Sequence, residues 1–458
     1  MSTTTKDSRN MLIEEVSKAL QTKVGAFFVG AGVSAGSKLP SWQKLIESEA
    51  SQLGLALQAG EDLTAIAQYV VNKYVGNRGP LINQVRAVLR KHSGPNPYHQ
   101  AMANSAADLI WTTNYDTLIE DAFAGFSLAV RNSDAAISHP ADDAEVEIIK
   151  MHGCLAHSGH EDLVITKEDY EDFFYRRPAT AERLRTDLLR RTFLFIGYSY
   201  ADPNIQNIVV EARRLAAKAT RRHYLIQRRI AATGGKEQLA LRQQLWVNDL
   251  RRIGIECLLI DDYAELQTIL DEVASRSRGA TLYVTGSHEN NNGLATEIGH
   301  ELAKCKAPEI VVVDGQSSGL SRNVITAFSE ECVNQKLDLR NRLRIFPNPY
   351  AANPAFSNDI KLLPMLKQVR RTLLRSTQAV IAFDGGMGTK MEVELAQSLG
   401  CNIIPIPLAP GGYASKLFSD SAISGKIKAA CPQYFGKLEK NEPVSASDVT
   451  QCVAAMLK

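Results

Sequence analysis

Short, almost wholly apolar runs that stop at a glycine or a small polar residue recur along this chain, with stretches of helical spacing between them. GAFFVGAGVSAG, ADLIWTTNYD, EVEIIKMHG, TFLFIGYSY and RHYLIQ come first, and ATLYVTGS, PEIVVVDGQ, QAVIAFDGGMGT and CNIIPIP follow. Such runs suit strands buried on both faces, and their alternation with helices predicts α/β layers around mostly parallel sheets. At 458 residues the chain exceeds the size of one hydrophobic core. The strand IECLLI and the helical EVASRSR close the first series, so a break is expected between Arg276 and Gly279. The expectation is two Rossmann-like α/β domains, over 1–277 and 280–458. An amphipathic helix from Asp7 to Gln21, with Met11, Leu12, Val16 and Leu20 at helical spacing, leads into the first run. A further helix is expected from Lys236 to Ile253.

Composition narrows the function classes. Hydrophobic residues at 45% and charged residues at 22% describe a compact, soluble chain. Lys and Arg total 52 against 50 for Asp and Glu, so no global field draws the chain to a polyanion. The one basic cluster, RRLAAKATRRH from Arg213 to His223, reads as a solvated helix face, which leaves nucleic-acid binding unsupported. Seven cysteines, Cys154, Cys257, Cys305, Cys332, Cys401, Cys431 and Cys452, form no CxxC pair, so no metal site and no disulfide framework is expected. The N-terminal MSTTTKDSRNMLIEEVSKAL has no apolar leader core, and no run approaches the roughly 18 apolar residues of a membrane span. A cytoplasmic location is expected.

Three strand ends carry groups suited to chemistry. Gly30-Ala31-Gly32-Val33-Ser34 follows AFFV, where glycines allow close backbone approach and a helix start offers N–H groups to a phosphate; a tight turn alone would also need them. Trp111-Thr112-Thr113-Asn114-Tyr115-Asp116 brings an amide and a carboxylate to the next end, Asp116 either capping the helix TLIEDAF or joining the site. Lys150-Met151-His152-Gly153 adds an imidazole beside a glycine. In a parallel sheet all three would face one crevice.

In the second series Gly286-Ser287 and Gly315 end strands, and Asp384-Gly385-Gly386-Met387-Gly388-Thr389-Lys390-Met391-Glu392 leads into a helix. That turn presents N–H groups to an anion, with Glu392 one turn in, either to accept ribose hydroxyls or to complement the helix dipole. Arg370-Arg371 precedes the strand QAVIAF.

GAGxS, TxNxD and HG occur here in the order of the sirtuin family, which the first 275 residues or so resemble. Pro40-Ser41-Trp42, Phe195-Ile196-Gly197-Tyr198-Ser199 and Asp202-Pro203-Asn204 are similar to the divergent prokaryotic sirtuin-like NAD hydrolases of anti-phage defence. The resemblance implies NAD as substrate, its phosphates at Gly30, Ala31, Gly32 and Ser34, with Asp116, Gly197 and Ser199 also in the NAD site. It implies Asn114 positioning ribose and water, and His152 as general base. A neutral imidazole with a pKa near 6.5 can take that proton at cellular pH. Protein-deacylating sirtuins carry two CxxC pairs that this chain lacks, so water is the expected acceptor, giving ADP-ribose and nicotinamide. An NAD-dependent deacylase and a non-catalytic nucleotide- or DNA-binding module are the alternatives.

GGxGTxxE resembles the lysine-decarboxylase-like nucleotide phosphoribohydrolases and the related SLOG sensor domains. Asp384 stands where that family has proline, so its hydrolase activity is not carried over. A sirtuin-like domain followed by SLOG resembles the effectors of Thoeris anti-phage defence. That resemblance implies activation by a cyclic ADP-ribose isomer made by a TIR-domain partner enzyme, and assembly as a homo-tetramer. It implies an activator site at Gly286, Ser287, Arg371, Gly385, Gly386, Gly388, Thr389 and Glu392, with Arg370 the other candidate cation.

Overall fold

Strand β1 (Gly25–Val29) is buried along its whole length, with Phe27 and Val29 on one face of its sheet and Ala26 and Phe28 on the other. A strand apolar on both sides needs cover on both sides. One face packs against Leu12, Ile13, Val16 and Leu20 of the helix Thr5–Gln21 and against Ile269, Leu270 and Val273 of the helix Tyr263–Ser277. The other packs against Leu184 and Leu188 of Pro178–Arg190 and Ile205, Ile208 and Val209 of Pro203–Ala216.

In the computed structural model of the chain, residues 5–58, 60–140, 143–157, 159, 162–216, 221–287, 293–346, 348, 363–409 and 411–457 are described. The chain divides into two units, one of Met1–Ala103 with Ala107–Val273 and one of Asn104–Ala106 with Ala274–Lys458. The fold is α/β in both, each built on a parallel sheet.

The first unit holds β1, β2 (Leu109–Thr112), β3 (Leu128–Arg131), β4 (Val146–Lys150), β5 (Thr192–Ile196), β6 (His223–Arg228) and β7 (Ile255–Ile260), in the order β3-β4-β2-β1-β5-β6-β7. The order reverses at β1, which has β2 on one side and β5 on the other, and open α/β sheets seat their ligands at such a reversal. The register makes the strand ends flush: Val29 pairs with both Thr112 and Ile196, and Thr112 pairs with Lys150. The turns after β1, β2, β4 and β5 therefore open on one edge. Beyond that edge, the helices Trp42–Gln52, Leu63–Lys73 and Gly79–Leu89 pack around Ile46, Val70, Leu81, Ile82 and Val85, joined by Leu118, Leu155, Leu163 and Ile165 from the turns after β2 and β4.

The second unit holds β8 (Thr281–Thr285), β9 (Val311–Asp314), β10 (Leu343–Ile345), β11 (Ala379–Phe383) and β12 (Asn402–Ile406), in the order β10-β9-β8-β11-β12. Its reversal falls between β8 and β11, the two strands that end in Gly286-Ser287 and Gly385-Gly386. Two edge strands, β3 and β10, were not expected. They are half-buried or exposed at most positions, so their sequences lack the apolar run that marks a strand covered on both faces. Among the described residues, no helix is long and apolar enough to cross a membrane, and no group of His, Cys, Asp or Glu is placed to hold a metal ion.

Candidate active site

The glycines after β1 and β5 are required by each other. A Cβ on Gly30 would stand 2.5 Å from the Gly197 carbonyl oxygen, and one on Gly197, where φ is +58°, would stand 2.4 Å from the Val33 nitrogen. The two turns are thus pressed backbone to backbone, and the Gly32 N–H donates to the Gly197 carbonyl at 2.9 Å. The expected helix after Gly30 is a single turn, Ala31–Ser34, continued by the 3₁₀ turn Ala35–Ser37. Ala31 and Gly32 are exposed, while Ser34 is buried.

A polar network joins this turn to the one after β2. The Asn114 side-chain amide donates to the Gly30 carbonyl at 3.3 Å and to Ser34 Oγ at 3.2 Å, and the Ser34 hydroxyl donates to Asp116 Oδ2 at 3.0 Å. Asp116 Oδ1 accepts from the Leu118 N–H at 3.1 Å, so Asp116 caps the segment after it and also ties it to Ser34. Below them lies Lys150, almost wholly buried at the end of β4. Its ammonium donates to the Asp116 carbonyl and stands 2.8 Å from Glu120 Oε1. Burial works against the Lys150 charge, but Glu120, Cys154 and Asp116 together outweigh it and hold its pKa above the ordinary lysine value.

Three residues further on, Gly153 adopts φ +83°, a left-handed conformation that suits glycine, at the turn that holds His152. The His152 ring lies edge-on to Tyr170 at 5.3 Å and is 6.5 Å from Tyr115, whose hydroxyl donates to the Val164 carbonyl at 2.5 Å. Burial keeps both tyrosine hydroxyls protonated, far above the usual phenol range. His152 Nε2 stands 3.1 Å from Asp202 Oδ2, off the line of a hydrogen bond, and both residues are more than nine-tenths buried. Asp202 in turn starts the helix Pro203–Ala216, its Oδ1 accepting from the N–H groups of Asn204 and Ile205 at 2.9 and 3.3 Å.

These groups share one cavity of about 1070 Å³, lined by Asn114, Asp116, His152 and Asp202 together with Ala31, Gly32, Ser34, Gly197, Tyr198 and Ser199. Gly30 is buried and outside the lining, with its carbonyl accepting from the Asn114 amide. Asn114 Oδ1, His152 Nε2 and Asp202 Oδ2 are buried without a hydrogen-bond partner. Sequence reasoning gave Lys150 no role and left Asp202 as part of a matched string. Each acts across tens of residues, where spacing carries no signal.

The second unit brings Gly286, Ser287, Gly385, Thr389 and Glu392 together. A Cβ on Gly385 would meet Thr389 Oγ1 at 2.1 Å and the Ser287 nitrogen at 3.2 Å, whereas Gly386 and Gly388 border open space. The helix Met387–Ser398 starts at this turn, with Gly386 as its cap residue. Glu392 is buried, with Oε2 accepting from the Thr285 hydroxyl and Oε1 paired with Arg370. Arg370 reaches Glu392, and it also donates to the Tyr283 hydroxyl at 3.3 Å. Asp384 ties the chain after β12 to the end of β11, with Oδ2 accepting from the Leu408 N–H at 3.1 Å and Oδ1 from the Ala414 N–H at 2.8 Å.

Fold and cavity together define a class, and residues 108–248 match the SIR2-like domain family, so the first unit is sirtuin-like. The match begins at β2 and leaves the turn at Gly30 outside it. Over most of its length the chain is similar to the NAD(+) hydrolase ThsA of Bacillus cereus (strain MSX-D12), 27% identical over 432 residues that cover 89% of this chain and 88% of that protein. It is similarly related to the NAD(+) hydrolase ThsA of Acinetobacter baumannii (strain 532279), 28% identical over 449 residues, 91% of this chain and 90% of that protein. Defense-associated sirtuin 2 of Bacillus subtilis is 25% identical over 223 residues, 47% of this chain and 22% of that protein. The chain is ThsA-like.

Proposed function

We propose that the chain hydrolyses NAD to ADP-ribose and nicotinamide in a catalytic domain over 1–277, and that a nucleotide-sensing domain over 280–458 controls it. The observation that carries this reading is the convergence of three unpartnered buried polar atoms, on Asn114, His152 and Asp202, in one cavity at a sheet reversal. Unsatisfied buried groups are costly unless a ligand completes them. The names of the relatives point to NAD as that ligand. In the reaction the bond between nicotinamide and ribose C1′ breaks, nicotinamide leaves with the bonding electrons, and water oxygen bonds to C1′. Asn114 holds the ribose and the water, His152 takes the water proton, and Gly30, Ala31, Gly32, Ser34, Asp116, Gly197 and Ser199 receive the rest of NAD. No metal takes part.

In the second domain the open backbone at Gly386 and Gly388, with Gly286, Ser287, Gly385 and Thr389, receives the phosphates of a cyclic ADP-ribose isomer, and Arg370 or Arg371 and Glu392 receive its sugars and charge. The signal comes from a TIR-domain partner in Thoeris anti-phage defence, and the protein works as a cytoplasmic tetramer that depletes NAD. One assay tests the reading: nicotinamide release from NAD by the full chain, alone and with a panel of cyclic ADP-ribose isomers. Release stimulated by one isomer is expected. No release with any of them removes the hydrolase assignment, and release indifferent to all of them removes the sensor.

A further inference from the structure

Asp202 does two things with its two oxygens. Oδ1 is fixed by the N–H groups of Asn204 and Ile205, which locks the carboxylate plane, and Oδ2 is left facing His152 Nε2 at 3.1 Å with no other partner. Helix capping accounts for Oδ1 alone. The other groups around the His152 ring are Tyr170 from the helix Lys167–Glu171 and Tyr115 from the turn after β2. Both hydroxyls stay neutral through burial. Among the described residues, Asp202 is the carboxylate that contacts this imidazole.

We infer that Asp202 is a positioning residue for His152: its carboxylate fixes the tautomer that carries the proton on Nε2 and leaves the basic lone pair on Nδ1. Although the contact is off the line of a hydrogen bond, a carboxylate at 3.1 Å attracts an Nε2–H and repels a lone pair there, so the nitrogen facing it is the one that bears hydrogen. This inference rests on the proposed NAD cleavage. Water gives its oxygen to ribose C1′ and its proton to Nδ1, nicotinamide departs with the electron pair of the broken C–N bond, and the imidazolium so formed keeps its Nε2–H against Asp202. An acid partner on the far nitrogen orients a catalytic imidazole and stabilises its cation.

The decisive variant is Asp202→Asn in the full chain. Asparagine is isosteric and a good helix cap, so the bonds to Asn204 and Ile205 survive. Its free side-chain N–H₂ donates to Nε2 instead of accepting from it, which moves the imidazole proton to Nδ1. Two readouts follow. The ¹⁵N shifts of His152, assigned by their loss in His152→Ala, are expected to show Nε2–H in the parent and Nδ1–H in Asp202→Asn. With NAD, kcat is expected to fall by about 100-fold or more, toward the roughly 10,000-fold seen when such a tautomer is reversed, with KM within about threefold. An unchanged tautomer, or a reversed one with kcat within about threefold of the parent, overturns the inference. A lost kcat with the tautomer unmoved also overturns it, because Asp202 would then act on substrate directly. If the parent releases no nicotinamide under any condition, the hydrolase reading fails, while the ¹⁵N shifts still decide whether Asp202 sets the tautomer.

Discussion

The two crevices sit at equivalent places, each at a reversal of strand order and each bordered by glycine turns, yet their polar groups are treated oppositely. In the first, Asn114 Oδ1, His152 Nε2 and Asp202 Oδ2 are buried and unpartnered. In the second, both oxygens of Glu392 and both of Asp384 are engaged, by Thr285 and Arg370 and by the N–H groups of Leu408 and Ala414. An unpartnered buried polar atom costs about 1–3 kcal/mol, so the first crevice is held under strain that a substrate relieves. In the second those carboxylates are already paired, while the backbone at Gly386 and Gly388 borders open space.

The comparison breaks most sharply at the unpartnered atoms. His152→Ala or Asn114→Ala is expected to lower NAD cleavage by about 100- to 10,000-fold while circular dichroism and the melting transitions stay unchanged. Turnover near the parent level in His152→Ala would remove His152 as the base. Next in size is the support beneath the first crevice. Lys150→Met leaves Glu120 and the Asp116 carbonyl without their buried cation, and about 3–5 kcal/mol of stability should be lost in denaturant titration. A loss below about 1 kcal/mol would mean that water reaches Glu120.

Asp384→Ala tests the opposite crevice. Two backbone N–H groups lose a carboxylate acceptor, which should cost about 2–4 kcal/mol in the transition of the second unit alone and leave ligand-free nicotinamide release as it was. Acid separates the units more gently. Burial pushes His99 and His223, both in the first unit, down to about 4 from the ordinary 6.5. The folded state refuses protons that the unfolded chain accepts between those values. Stability is therefore full above pH 6.5 and falls as pH drops toward 4, by at most about 1.4 kcal/mol per pH unit for each histidine. Melting curves from pH 7 to pH 4 should show the first unit weakening; a first unit indifferent to this range would show that both histidines titrate freely. The smallest expected effect is none: exhaustive chelation should leave NAD cleavage unaltered, and activity lost to chelation and restored by zinc would show a metal site missed among the cysteines.

Much of this was legible in the sequence because it is local. Strands covered on both faces announce themselves as apolar runs, and a parallel sheet sends their ends to one edge, so Asn114, His152 and the glycine turns could be placed together from their strand-end positions alone. What lay hidden depends on distance or phase. Lys150 reaches back to Asp116 and Glu120, and Asp202 reaches His152 across fifty positions, with no spacing rule to betray either. That Arg370 reaches Glu392 depends on the rotation of one helix, which its position in a string does not reveal. The glycines after β1 were expected to make room for phosphate; their immediate partner is the backbone of the turn after β5, a contact that neither motif displays alone.

That contact also sets an order of events during synthesis. The cavity draws its walls from Ala31 through Asn207, and its two central turns brace each other only when β5 has joined β1. Ribosomes add about 5–20 residues per second, so roughly 10–35 s separate emergence of the first wall from emergence of the last. A nascent or truncated chain ending before Gly197 lacks the wall from Gly197 to Asn207 and the carboxylate of Asp202 that stands beside His152. For an NAD hydrolase, a site scattered so widely along the chain leaves unfinished copies without a complete pocket.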